Sequence, residues 1–328
     1  MFRSPRLALV VLCSALALVV AACGDDDSGG GGGSSSGGKK NYKMTLIAGV
    51  KGDEFYITMN CGAQEKAKEL GVTLDFQGPD QFDAAQQTPI VDAVAAKSPD
   101  AILIAPTDTK ALFAPITAAS QNSKIVLVDT TLEDPSMAVS QIASDNLEGG
   151  KTAGTTLLDL IGGKGKVMVV NVKPGISTTD QRGQGFEEAV KDKPGVEYLG
   201  QEYSQDDPAK AADIVTATLA EHPDLKGIFA ANLFSAEGAA SGLRQAGKLG
   251  DVKIVGFDAG PKQVKDLEDG LVQALIAQKP ADIGSQGVEQ AYKALEGEET
   301  TPEIGTDFEV ITKDNLAEMQ DVLYKPSC

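Results

Sequence analysis

The 328-residue chain has no tryptophan, one histidine and four cysteines, and its 29 lysines and arginines face 47 aspartates and glutamates. Each shortage excludes something. A single His222 and no clustered Cys leave no usual zinc or Cys/His site, so no metal is expected. A formal net charge of −18 makes nucleic acid an unfit partner. Glycine-rich places lack phosphate-loop spacing: GGKGK at 162–166 has no final Ser or Thr, and Gly183-Gln184-Gly185 has no third glycine, so both read as turn and helix-start glycines. No activated nucleophile stands out, so neither an enzyme nor a cofactor is expected. A glycosidase working with carboxylates alone is the alternative left open, because acids are abundant.

What is present starts with an export signal. Arg3 and Arg6 precede an apolar run at 7–20, too short for a stable membrane span, that closes on small residues before Cys23. The sequence GDDDSGGGGGSSSGGKK at 24–40 has nothing to bury and reads as a flexible tether. From Met44 the chain alternates strand and helix: MTLIAGV, VTLDF, AILIAP and KIVLVD, with amphipathic segments such as MNCGAQEKAKEL between them. After Asn146 the plan repeats with KVMVVNV, VEYLGQEY, LKGIFAAN and VKIVGFDA, and with helices at 181–191, 208–222 and 235–246. Such alternation means parallel sheet with helices on both faces, here twice over. The tail segment NLAEMQDVL at 315–323 reads as a helix capped by Asp314.

The most informative stretch is 253–280, where a strand ends at Asp258 and a second apolar run, 271–277, ends at Gln278. In an open α/β sheet the carboxyl ends of strands are where ligands bind. IVGFDAGP followed by ALIAQKPADIG resembles the ribose-binding branch of the bacterial periplasmic sugar-binding proteins. The resemblance continues through IASDNLEGGKTAG (142–154), QRGQGFEEAV (181–190) and IAPTDTKA (104–111), in one order from about residue 42 to 311. It implies the type I periplasmic binding protein fold: two doubly wound parallel-sheet, Rossmann-like lobes joined by a three-strand hinge. The implied division is a signal at 1–22, a tether at 23–42, a first lobe of 43–144 plus 278–307, and a second of 145–277 plus 308–328 with a C-terminal extension. Crossings are expected near 143–146, 276–278 and 306–308.

The resemblance also implies a ligand set: Gly49, Asp53, Phe55, Tyr56, Asp129 and Thr130 from the first lobe, Arg182, Asp206, Asn232 and Asp258 from the second, and Gln278 at a crossing. Within the 205–207 loop the register is open by a residue. Sugar hydroxyls donate and accept together, which suits carboxylates and a guanidinium. With no Trp, stacking falls to Phe55 and Tyr56, for which core packing is the competing role. Thr130 stands where the family commonly has Arg, Asp53 where it has Asn, and Leu233 where an aspartate is frequent. The site loses a cation and gains an anion, which argues against phosphates and sugar acids and allows a neutral monosaccharide or polyol, or an amine-bearing ligand. Cys23 resembles a lipoprotein box and is expected to carry a lipid anchor. Cys61 and Cys328 are expected to pair, two free thiols being the alternative. The implied protein is a monomeric, lipid-anchored substrate-binding protein on the outer face of the cytoplasmic membrane, serving an ABC permease. A surface sensor for a sugar or amine-bearing signal is the alternative that sequence leaves open.

Overall fold

Runs such as Ala101–Ile104 (AILI) are buried at every position, as strands covered on both faces must be. A computed structural model describes residues 41–328. The expected signal, Cys23 and the glycine tether lie outside the described residues. The first half contains β1 (Lys43–Ile47), α1 (Glu54–Leu70), β2 (Thr73–Gln77), α2 (Ala84–Ala95), β3 (Ala101–Ile104), α3 (Phe113–Ala119), β4 (Lys124–Val128) and β5 (Ala138–Ser144). The second contains α4 (Asn146–Leu160), β6 (Gly165–Asn171), α5 (Ser177–Val190), β7 (Val196–Tyr203), α6 (Pro208–Glu221), β8 (Leu225–Ala230), α7 (Leu233–Gln245), β9 (Lys253–Phe257), α8 (Pro261–Glu268) and β10 (Ala274–Ala277). The chain then makes α9 (Pro280–Glu296), β11 (Glu303–Thr306) and β12 (Glu309–Thr312).

Two six-stranded sheets result, in the orders β11-β5-β4-β3-β1-β2 and β12-β10-β9-β8-β6-β7. This is the expected two-lobed α/β architecture. The first sheet is parallel throughout, whereas β12 pairs antiparallel with β10. Only Asp307 and Phe308 separate β11 from β12, too few for the crossover helix a parallel edge would need. The chain therefore passes between lobes at Asp145, at Gln278-Lys279 and at Asp307-Phe308.

Polar residues start the helices. Asp53, Asp83, Asp145, Asp207 and Asn232 each accept a first-turn backbone N–H, a cap worth about 1 kcal/mol. In each lobe a helix pair packs through glycine. A Cβ at Gly62 would meet Ala281 O at 2.0 Å, and one at Gly150 would meet Arg182 O at 2.1 Å. The first contact holds α1 against α9; the second sets α5, and Arg182 with it, against α4. Gly183 and Gly185 accordingly lie inside α5 rather than at a helix start, because close packing needs them there. Gly162 and Gly163 do form a turn, both at positive φ.

Three expectations at the ends need correction. Tyr42 belongs to the folded body rather than the tether: it is 9% exposed and its hydroxyl donates to Glu296 Oε1 at 2.6 Å. Residues 315–323 form two 3-10 turns, Leu316–Glu318 and Gln320–Val322, in place of one α-helix. Asn315, not Asp314, ties the first of them, its Oδ1 accepting from Thr312 N at 2.7 Å. The last residues do not stay with the second lobe, because Cys328 is disulfide-bonded to Cys61 on α1, with Cα atoms 5.4 Å apart. The bond spans 267 residues and on the chain-entropy account contributes about 5 kcal/mol, less any strain. Among the described residues no helix is long and apolar enough to cross a membrane.

Candidate ligand-binding site

The carboxyl ends of the two sheets face each other around a cavity of about 410 Å³, space open to solvent at its mouth included. The carboxyl ends of the strands are where open α/β sheets take their ligands. Nine of the eleven residues expected at the site line it: Asp53, Phe55, Tyr56 and Asp129 from the first lobe, Arg182, Asp206, Asn232 and Asp258 from the second, and Gln278. Gly49 and Thr130 do not. A Cβ on Gly49 would strike Tyr56 Oη and Phe82, so this glycine makes room for rings that reach the cavity. Thr130 turns away and donates its hydroxyl to Pro106 O at 2.8 Å, because Asp129 has φ +64 and the strand alternation breaks there. Phe82, Val172, Ile176, Thr178 and Thr179 also line the cavity and were not foreseen. The two threonines occupy the first turn of α5, and only their nearness to Arg182 could have signalled them.

The polar groups are fixed by partners on both sides. Asp129 Oδ2 accepts from Tyr56 Oη at 2.7 Å. Asp258 Oδ1 accepts from Gln278 Nε2 at 2.8 Å and from Tyr324 Oη at 3.0 Å, and its Oδ2 accepts from Leu233 N at 3.0 Å. Leu233, where the family pattern suggested a missing carboxylate, thus contributes its backbone. Asp206 Oδ1 accepts from Asn232 Nδ2 at 2.7 Å. Arg182, 3% exposed, donates from Nε to Asn146 Oδ1 at 2.8 Å and from Nη1 to Ala231 O at 2.9 Å, with its guanidinium 3.8 Å from the Phe257 ring centroid. Among the described residues two of its five N–H groups have hydrogen-bond acceptors. Thr179 is 4% exposed and its hydroxyl has no partner among the described residues.

Four carboxylates around one guanidinium give the cavity an acidic character. Burial raises the Asp53 carboxyl well above the usual range, and the charges of Asp258 and Asp206 across the cleft raise it further. Burial lifts Asp129 to about 6 against the opposing pull of Arg182 and the Tyr56 hydrogen bond. Asp206 is pushed up to about 6, again by burial, opposed by the Asn232 bond and by Lys173. Tyr56 and Tyr324 are raised by burial and by their neighbouring aspartates, so both remain hydroxyl donors at neutral pH.

The lobes touch across the mouth. Thr109 N donates to Gly175 O at 3.1 Å, Thr131 N to Ser177 Oγ at 2.9 Å, and Lys173 Nζ to Phe82 O at 2.8 Å. The cleft is therefore in a closed conformation. Inside it, carboxylates offer acceptors, Arg182, Asn232 and Gln278 offer donors, and Phe55, Phe82 and Ile176 offer apolar surface.

Two α/β lobes, joined by three crossings and closed over a buried polar cavity, are the architecture of a two-lobed solute-binding protein. Residues 44–299 match the family model of the periplasmic binding protein domain, and the chain belongs to that family. It is 33% identical over 273 residues, 82% of this chain and 90% of the relative, to the ribose import binding protein RbsB of Escherichia coli (strain K12). It is 28% identical over 257 residues, 76% of this chain and 83% of the relative, to the D-allose-binding periplasmic protein of the same organism. A solved ABC transporter solute-binding protein from Agrobacterium vitis, bound with α-D-tagatopyranose, is similar at TM-score 0.85 and 44% identity, covering 87% of this chain and 100% of that one. A second from the same organism, with bound D-fucose, is similar at TM-score 0.82 and 30% identity, covering 86% and 100%. The chain thus stands among the extracytoplasmic sugar-binding proteins of ABC transporters, whose members are transport proteins rather than enzymes.

Proposed function

We propose that this protein binds a neutral monosaccharide or polyol between its lobes and, closed around it, presents it to an ABC permease. A monomer held on the outer face of the cytoplasmic membrane by a lipid on Cys23 would suit that task. The observation that carries the reading is the buried constellation of Asp53, Asp129, Asp206 and Asp258 with Arg182 and Asn232 around one cavity. Charge-assisted hydrogen bonds to hydroxyls contribute about 1.5 to 3 kcal/mol each, and several of them exceed the roughly 8 kcal/mol of micromolar binding, leaving a surplus to offset desolvation and ordering. Phosphates and sugar acids fit poorly, since four carboxylates would repel them. The tagatose-bound and fucose-bound relatives and the ribose import binding protein support a pentose or hexose ligand.

Thermal unfolding of the full chain less its signal, against D-tagatose, D-fucose, D-ribose, D-allose, common hexoses, polyols and amino sugars, tests this. A ligand in hundredfold excess over its dissociation constant stabilises the folded state by about 2.7 kcal/mol. A shift with a neutral sugar or polyol supports the reading and names the ligand. A shift with an amino sugar alone reassigns the acidic cavity to a cationic ligand, and no shift with any overturns the sugar reading.

A further inference from the structure

The last residues of the chain form neither helix nor strand, yet they reach the ligand cavity's wall. Beyond its two 3-10 turns the tail runs along the hinge and buries the Tyr324 side chain, which is 4% exposed. Its main chain is held from both lobes: Tyr324 N donates to Ala259 O at 3.0 Å, and Lys325 N donates to Thr58 Oγ1 on α1 at 2.7 Å. The Tyr324 ring packs edge-on against Phe55, with centroids 5.8 Å apart. The chain ends at Cys328, bonded to Cys61 on the same helix α1.

We propose that Tyr324 is a positioning residue for ligand binding, fixing the Asp258 carboxylate, and that the Cys61–Cys328 bond keeps it there. The inference rests on the sugar-binding reading of the cavity. Gln278 N donates to Tyr324 Oη at 3.1 Å, and the hydroxyl passes its own hydrogen to Asp258 Oδ1 at 3.0 Å. With Gln278 Nε2 on the same oxygen and Leu233 N on the other, the carboxylate is gripped on both oxygens and its plane is set. Without the tail hydroxyl, Oδ1 keeps one side-chain donor, and that donor's own backbone N–H loses its acceptor. The first lobe has the matching arrangement, Tyr56 Oη on Asp129 at 2.7 Å, but takes its tyrosine from α1. In the second lobe the hydroxyl is brought from the far end of the chain, and the disulfide closes the segment that delivers it. Preorganising an acceptor in this way raises affinity by removing an ordering cost at the moment of binding.

The test uses the full chain less its signal and the sugar that gives the largest thermal shift, together with that sugar's monodeoxy analogues, each titrated by calorimetry. Tyr324→Phe keeps the ring on Phe55 and deletes the hydroxyl. Affinity for the parent sugar is expected to fall about tenfold. For the one analogue lacking the hydroxyl that Asp258 accepts, the variant and the wild type are expected to bind within about twofold of each other, because the oriented group then has nothing to receive. A purely structural tyrosine would weaken every analogue alike, and that outcome overturns the proposal, as does an unchanged affinity for the parent sugar. Cys61→Ser with Cys328→Ser is expected to reproduce the same analogue pattern; wild-type affinity in that variant overturns the role given to the disulfide. A wild-type chain that binds no sugar at all overturns the reading of the cavity itself, and the inference with it, a result distinct from either failure above.

Discussion

Asp129 and Asp258 hold matching places in the two lobes. Each follows directly on a buried strand, β4 or β9, each has a positive φ of 64° or 78°, and each donates its N–H to an isoleucine carbonyl on the neighbouring strand, Ile142 or Ile276. Each carboxylate also receives a tyrosine hydroxyl. A non-glycine residue in this conformation costs about 1 to 3 kcal/mol, a cost that persists where the surroundings over-determine it. Here the strain turns a carboxylate toward the cleft at the end of each sheet. The predictions below concern groups gathered around this pair.

Arg182 is held by two acceptors and by the face of Phe257, a geometry a lysine ammonium cannot reproduce. Arg182→Lys is expected to weaken sugar binding by about a hundredfold and to lower stability by about 2 kcal/mol, since Asn146 and Ala231 lose fitted donors. Calorimetric titration and thermal unfolding read the two effects. Retained affinity would remove the guanidinium from the ligand's contacts.

Acidity acts on stability and on binding in opposite directions. Asp129 and Asp206 lie at about 6 in the folded protein, against an unfolded value near 3.9. Between those values the folded protein holds protons that the unfolded chain releases, so this contribution to stability is complete below about pH 4 and lost as pH rises through about 6. Hydroxyl donors from a sugar favour the ionised carboxylates, so affinity should rise about tenfold from pH 5 to pH 7. Titrations at the two pH values check this, and equal affinities would mean that the neutral acids suffice.

Thr179 offers a sharper separation of binding from folding. Its buried hydroxyl has no partner among the described residues, so Thr179→Val removes no hydrogen bond within them. The unliganded midpoint should stay level or rise, while sugar affinity falls about fivefold to tenfold. A lowered unliganded midpoint with full affinity would assign the hydroxyl to the fold instead.

Closure should depend on the mouth as well as on the cavity. Lys173→Met removes the donor to Phe82 O across the cleft, together with the charge that partly offsets the burial of Asp206. A rim contact of this kind contributes about 0.5 to 1 kcal/mol, so dissociation should quicken about threefold with association little changed. Stopped-flow kinetics would show it. An unaltered dissociation rate would mean that the lobes stay closed on the ligand's contacts alone.

Much of this was legible in the residues, and the reasons differ from place to place. Strands such as KIVLVD and VKIVGFDA announce themselves because a parallel strand buried on both faces is apolar at successive positions. β5, Ala138–Ser144, does not announce itself as a strand, because at the hinge its burial alternates and its sequence mixes Ser and Gln with Val and Ile. Asp129 and Asp258 could be read as strand-end carboxylates, whereas Phe82 sits in the loop between β2 and α2, where no pattern points inward. Thr178 and Thr179 look like ordinary first-turn helix residues. Tyr324 was invisible for a different reason: its place is fixed by partners 46 and 66 residues away and by the bond from its neighbour Lys325 to Thr58, 267 residues away, and no local periodicity reports contacts of that range.

The order of the strands sets the order in which the lobes can be completed. Synthesis supplies β1 through β5 first, but their sheet also needs β11, and α1 is not locked until Cys328 has been made. When β11 is reached, the second sheet already has its core strands β6 to β10 and lacks only its antiparallel edge β12. A chain shortened before β11 would leave β5 and β10 as open sheet edges, one in each lobe, and both would be surfaces on which another chain could pair.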